Sequence, residues 1–189
     1  MDNKNETKVK IIDTTVELLK EGIDNLTVRK ITDSAGVNVS AVNYHFGSLY
    51  NLLALSGEKI FSEIRGLFDI LEDLDKTPED RLKKFIISYS FYVKKYKKMI
   101  LHALDKGLLP TSAHESYFLF LKQKGFEKIK NVLREITGKD ENLDIFVLQS
   151  FIGMLFPYVV FSDFNLPLTF DVNDLEKQID VFLSFIKNK

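Results

Sequence analysis

The stretch Leu26–Leu53, LTVRKITDSAGVNVSAVNYHFGSLYNLL, decides the fold. Thr27 is a hydroxyl N-cap candidate, and the spacing predicts a helix from there to about Ala35, with Val28 and Ile31 turned inward. Gly36 supplies the turn, because positive φ costs a glycine little. Val37 is expected to plug the small core, and a second short helix to span about Ser40 to His45 with Val42 buried. Ser48 caps the start of a long helix. Two short helices around a tight glycine turn are the sequence form of a helix-turn-helix, a unit that lays its second helix in the major groove of DNA.

The spacing has a mechanical reason. A recognition helix sits at a fixed angle on its partner, so the pair needs small residues at the contact and a tight turn; Ala35 and Gly36 meet that need. The outward face must be polar or small enough to reach base edges. Its members are Asn38, Val39, Ser40, Ala41 and Asn43. Asn43 suits pairing with adenine, and Val39 and Ala41 suit contact with thymine methyls. Ser40, Tyr44, His45 and, on the preceding helix, Arg29 are candidate phosphate contacts, and Thr27 is a further candidate DNA-binding residue.

Outward from this segment the chain reads as all-α, with about nine helices and no sustained period-two alternation. A first helix is expected over about Thr7 to Glu21, its apolar stripe formed by Val9, Ile12, Val16 and Leu19 and widened by Ile11, Thr15 and Leu18. Gly22 is placed to cap it. The helix after Ser48 is expected to reach about Leu74. Thr77-Pro78-Glu79-Asp80 restarts the chain: a hydroxyl cap, proline at the first helical position and two acids on the positive helix end. Further helices are expected to about Tyr96, to about Asp105, from about Ala113 to Ile136, from Glu141 to Val160 and from Val172 to Ile186. The expected domains are a helix-turn-helix domain over 1–50 and a helical effector-binding and dimerisation domain over 51–189.

Composition bounds the function. With 45% hydrophobic and 28% charged residues, the 189-residue chain has an ordinary globular composition, and 16 Phe and 7 Tyr supply apolar surface for a core. No cysteine is present, which excludes disulfides, thiolate metal sites and thiol catalysis and suits a cytoplasmic location. No apolar run of about 20 residues exists, so no membrane span is expected. The three histidines, His45, His102 and His114, have no metal-site spacing; neither a metal nor a cofactor is expected. No nucleophile–base set or phosphate-cradling glycine loop is present, so an enzyme is not expected. Net charge is −1, and residues 1–50 hold six Lys/Arg (Lys4, Lys8, Lys10, Lys20, Arg29, Lys30) against seven Asp/Glu (Asp2, Glu6, Asp13, Glu17, Glu21, Asp24, Asp33). Global charge therefore lends DNA binding no support; the face that carries the cations decides. The basic run from Arg81 to Lys106, with Asp105 as its one acid, reads as a solvated helix face, with attraction of an anionic effector as the sharper alternative.

In these residues the chain resembles the TetR (tetracycline-repressor-like) family of transcriptional regulators. The pieces that match are Leu26-Thr27-Val28, Ile31, Ala35-Gly36-Val37, Tyr44-His45-Phe46-Gly47-Ser48 and Leu52-Leu53, and the match covers roughly residues 7 to 60. The resemblance implies a ligand-responsive regulator, most often a repressor, that binds a palindromic double-stranded DNA operator as a homodimer. The family commonly has a lysine after the residue pair that follows His-Phe, where it meets a phosphate. This chain has Leu49, so that contact is lost or passes to Tyr50. The alternative is a helical adaptor whose helix-turn-helix contacts protein.

Beyond residue 60 the aromatic density exceeds what a plain helical core needs. Phe85, Tyr89, Tyr92, Met99, Tyr117, Phe118 and Phe156, with Gln149 as a polar group, are the candidates for gripping an apolar or aromatic small-molecule effector. The last two expected helices carry broad apolar faces, Ile145, Leu148, Ile152 and Leu155, then Leu175, Ile179 and Phe182. The resemblance implies that these faces meet their symmetry mates in a dimer.

Overall fold

The computed structural model describes residues 3–23, 26–106, 115–116, 119–140 and 172–187. Eight α-helices and no strand occur among the described residues. They are α1 (Asn3–Glu21), α2 (Val28–Ala35), α3 (Ser40–Phe46), α4 (Leu49–Leu67), α5 (Pro78–Lys95), α6 (Lys97–Lys106), α7 (Phe126–Thr137) and α8 (Val172–Lys187). The helix expected over 141–160 lies outside the described residues. The chain divides into two compact units, residues 1–63 with 96–118 and residues 64–95 with 119–189. The division falls within α4, at Glu63–Ile64.

In the first unit, Ile11 and Leu18 of α1, Ile31 and Ala35 of α2, Val42 and Phe46 of α3 and Leu52 of α4 form one buried cluster. Each such side chain contributes about 1.5–3 kcal/mol by leaving water, which is what stabilises helices as short as α2 and α3. α1 begins a turn earlier than the sequence suggested, and its buried face is centred differently. Ile11, Thr15, Val16, Leu18 and Leu19 are buried, whereas Val9 is 48% exposed. Thr15 is accommodated in the core because its hydroxyl donates to the Ile11 carbonyl (2.7 Å).

The second unit is built on α5, α7 and α8. Leu82, Phe85 and Ile86 of α5 pack with Ile129, Val132 and Leu133 of α7 and with Leu175, Ile179, Leu183 and Ile186 of α8. The long helix expected to reach Leu74 ends as an α-helix at Leu67, and Phe68–Glu72 tightens into a 3-10 turn that buries Phe68 and Leu71. A π turn over Leu121–Gly125 precedes α7. Gly125 packs closely there: a Cβ would stand 3.1 Å from both the Phe68 ring and the Leu121 side chain. α5 starts as expected, with the Asp80 N–H donating to the Thr77 hydroxyl (3.2 Å) ahead of Pro78. Arg81 is buried; its guanidinium donates to the Leu71 carbonyl (2.8 Å) and pairs with Glu135. Lys83 pairs with Asp180 at the surface, so part of the basic run also joins α5 to α8.

Candidate nucleic-acid interface

The helix-turn-helix is set by local hydrogen bonds. Thr27 lies in extended conformation and its hydroxyl accepts the Lys30 N–H (3.1 Å), which starts α2. Gly36 lies at φ 63°, in the left-handed region, and ends it. The Gly36 N–H reaches the Asp33 carbonyl (3.2 Å) and the Val37 N–H the Thr32 carbonyl (3.0 Å). This double closure satisfies the last carbonyls of α2 and turns the chain sharply into α3. Asn38 then opens α3: its side-chain oxygen accepts from the Ser40 N–H (2.9 Å) and the Ser40 hydroxyl (2.8 Å).

These bonds sort the residues expected on DNA. Val39, Ser40, Asn43 and Tyr44 are exposed and share one face of α3, opposite the buried Val42 and Phe46. Ala41 and His45 are half-buried. Asn38 is exposed, but its carbonyl oxygen is committed to capping, which leaves its amide N–H groups for an outside partner. Thr27 is likewise committed as an acceptor and keeps its hydroxyl proton to donate. The Arg29 side chain is open to solvent, with Asp33 at 3.9 Å. Leu49 is half-buried against the α1–α4 cluster, so the first residue of α4 serves the core. Tyr50, beside it, is exposed.

The structure adds residues that the sequence pattern did not single out. Lys4 and Lys8 extend the inward line Ile11–Thr15–Leu18 of α1 toward its N-terminus, beyond the end of the apolar core. There they line, with Asn5, Tyr44 and His45, an open depression of about 340 Å³. The Lys4 ammonium stands over the Tyr44 ring, 5.1 Å from its centroid, and His45 packs edge-on to Tyr44 at 4.9 Å. Helical phase was the available signal: Lys4 stands seven residues before the buried Ile11 and Lys8 seven before the buried Thr15, on the side of α1 that faces α3. Two acids elsewhere on this unit are paired, Asp13 with Lys59 and Glu17 with Lys20, while Glu6 lies in the same turn of α1 as Lys4.

The expected effector residues fall in both units. Phe85 is fully buried in the second unit's core, Tyr92 is buried and Tyr89 half-buried. Phe68 joins this group, with ring centroids 4.8 Å from Phe85, 5.2 Å from Phe120 and 6.3 Å from Tyr89. Met99 is buried in the first unit. Tyr117, Phe118, Gln149 and Phe156 lie outside the described residues. So do Ile145, Leu148, Ile152 and Leu155 of the expected dimer face. Leu175 and Ile179, also expected at that face, are 2% and 0% exposed and pack into their own chain's core. Their helix packs on α5 and α7 and uses that side for the monomer. Phe182 is half-buried, and the outward side of α8 presents Val181 and Phe185. No helix among the described residues is long and apolar enough to cross a membrane.

Residues 11–54 match the family of bacterial regulatory proteins described as the tetR family. No protein of curated function matches the chain. Among solved structures, a TetR-family transcriptional regulator from Streptomyces coelicolor superposes with a TM-score of 0.74 at 16% identity, covering 98% of this chain and 82% of that one. A protein assigned to the TetR family from Mesorhizobium loti gives 0.68 at 12% identity, covering 98% and 97%. The TetR-family regulator PfmR from Thermus thermophilus gives 0.61 at 17% identity, covering 93% and 92%. The match over residues 11–54 and the likeness over nearly the whole chain agree: the chain has the fold of TetR-type regulators, and its helix-turn-helix segment matches the tetR-family model.

Proposed function

We propose that the chain is a ligand-responsive transcriptional regulator, acting as a repressor, that binds a palindromic operator as a homodimer. Residues 1–50 bind DNA, and 51–189 bind the effector and the second copy. The observation that carries the reading is the α2–α3 pair, whose closed glycine turn presents Val39, Ser40, Asn43 and Tyr44 together on an exposed face. Two such helices related by a twofold axis would enter successive major grooves. The aromatic density beyond residue 60 is what favours an apolar or aromatic effector, although Phe68 and Phe85 themselves are packed in the core. Helix α4 runs from the first unit into the second and is the covalent route by which an effector in one would bias the other. Coupling requires the effector to bind two arrangements of the dimer unequally.

The experiment is selection of bound duplexes from a random DNA pool by the purified protein at two salt concentrations. An enriched inverted repeat whose affinity falls with salt is the expected result. Enrichment of nothing at either salt, with and without candidate effectors, would assign the helix-turn-helix to a protein partner instead.

A further inference from the structure

We propose that the depression between the start of α1 and the end of α3 is a phosphodiester-binding site, in which Lys4 and Lys8 clamp an operator backbone phosphate beside the recognition helix. The inference rests on the DNA-binding reading and adds to it a contact outside α2 and α3.

The argument begins with the helix ends. Tyr44 and His45 lie in the last turn of α3, at the negative pole of that helix, which disfavours a phosphate even though the Asn43 and Phe46 carbonyls accept from the Gly47 N–H and the Asn51 amide. An anion approaches that end only if cations are brought there from elsewhere. The start of α4 brings none, because Leu49 is turned into the core. α1 brings two: Lys4 and Lys8, one turn apart, line the depression together with Asn5, Tyr44 and His45.

The side chains are also held in place. The face of the Tyr44 ring attracts the Lys4 ammonium at 5.1 Å, and the ring is in turn edge-packed on His45. A flexible lysine thus loses part of its freedom before any ligand arrives, which lowers the cost of ordering it on binding. The donors that surround the depression, two ammonium groups, a phenol, an imidazole and a carboxamide, are those a phosphodiester oxygen accepts from. A groove-reading helix of seven residues is short, and a clamp beside its end would fix its register.

The test uses full-length protein and the duplex selected above, by fluorescence anisotropy across a salt series. The Lys4→Gln, Lys8→Gln double variant is compared with wild type. Each lost phosphate contact lowers the slope of log affinity against log salt by about 0.9, so two contacts remove about 1.8 per bound chain. The base preference recovered by selection should stay the same, since phosphate contacts position and do not specify. Wild-type and variant should unfold at the same temperature, which separates a lost contact from a lost fold. If wild type binds its duplex with a salt slope that the double variant reproduces, the clamp is overturned while the DNA-binding reading stands. If wild type binds no duplex, both fall. Inorganic phosphate at matched ionic strength is the second arm: no displacement of duplex is expected, and displacement at low millimolar phosphate would overturn the phosphodiester assignment in favour of a free-anion site.

Discussion

At the scale of single residues, the side chains differ in what they can lose without cost to the fold. Asn43 is exposed on α3, and its backbone carbonyl rather than its side chain accepts the Gly47 N–H (2.9 Å). Asn43→Ala should therefore leave the urea midpoint unchanged and weaken discrimination at one operator position by about 1–3 kcal/mol, measured by competition between operator variants. Unchanged discrimination would remove Asn43 from base readout. Arg81 is the opposite case. It is 4% exposed, holds the Leu71 carbonyl and pairs with Glu135, whose side chain is 44% exposed. Arg81→Ala strands a buried carbonyl and should cost about 3 kcal/mol of stability, whereas Glu135→Gln, on the wet side of the pair, should cost under about 1 kcal/mol. Equal losses in urea unfolding would show that the pair, and not the buried hydrogen bond, holds the 3-10 turn to α5.

Among the elements, the first turns of α5 are joined to the second half of α8 by charge as well as by core: Glu79 with Lys187, and Lys83 with Asp180. The hydrogen bond from Lys187 holds the Glu79 carboxyl below its ordinary 4.5. A carboxyl lowered in the folded state contributes stability that is complete above its unfolded value and is lost as pH falls through the folded one. The hydrogen bond to Asp180 holds Lys83 above 10.5, so that contribution is complete below this value and lost as pH rises past it. Between the two limits the clasp is pH-independent. Unfolding midpoints recorded from pH 6 downward should fall below about 4.5, and Glu79→Gln should flatten part of that acid limb. An unaltered limb would place the acid sensitivity in other carboxyls. The elements also show what sequence could supply. α2 and the start of α5 were legible because threonine caps, a left-handed glycine and Pro78 act within four residues of themselves. The phase of α1 was not, because apolar residues at 9, 11, 12, 16, 18 and 19 spread over about half its circumference; packing with α2, α3 and α6 selects Ile11 over Val9 as its inward centre. The π turn at Leu121–Gly125 was not legible either, since one extra residue in a helical turn changes no composition. For the candidate interface, the α3 face was readable from the motif, while Lys4 and Lys8 join it across some 40 residues of chain through a contact that follows from the missed phase.

For the whole molecule, the homodimer proposed above would account for how one short recognition helix obtains specific affinity. A seven-residue α3 reaches few base pairs, and a net charge of −1 provides no general attraction to DNA. Two copies held together bind two half-sites, and the second is then engaged at an effective concentration set by the tether instead of by dilution. The inward side of α8 is spent on the monomer core, through Leu175, Ile179, Leu183 and Ile186. Its outward side carries Val181 at 68% and Phe185 at 54% exposure, one turn apart, which is apolar surface a second copy would remove from water. Phe185→Glu places a charge on that surface while leaving the inward side intact. The expected outcome is a folded monomer by sedimentation and circular dichroism, with affinity for the full inverted repeat lowered by about 100-fold or more and affinity for an isolated half-site unchanged. A dimer that persists would move the interface off the outward face of α8. A monomer that still binds the full repeat as tightly as wild type would show that specificity resides in one copy, and the clamp beside α3 would then have to supply what the second half-site does not.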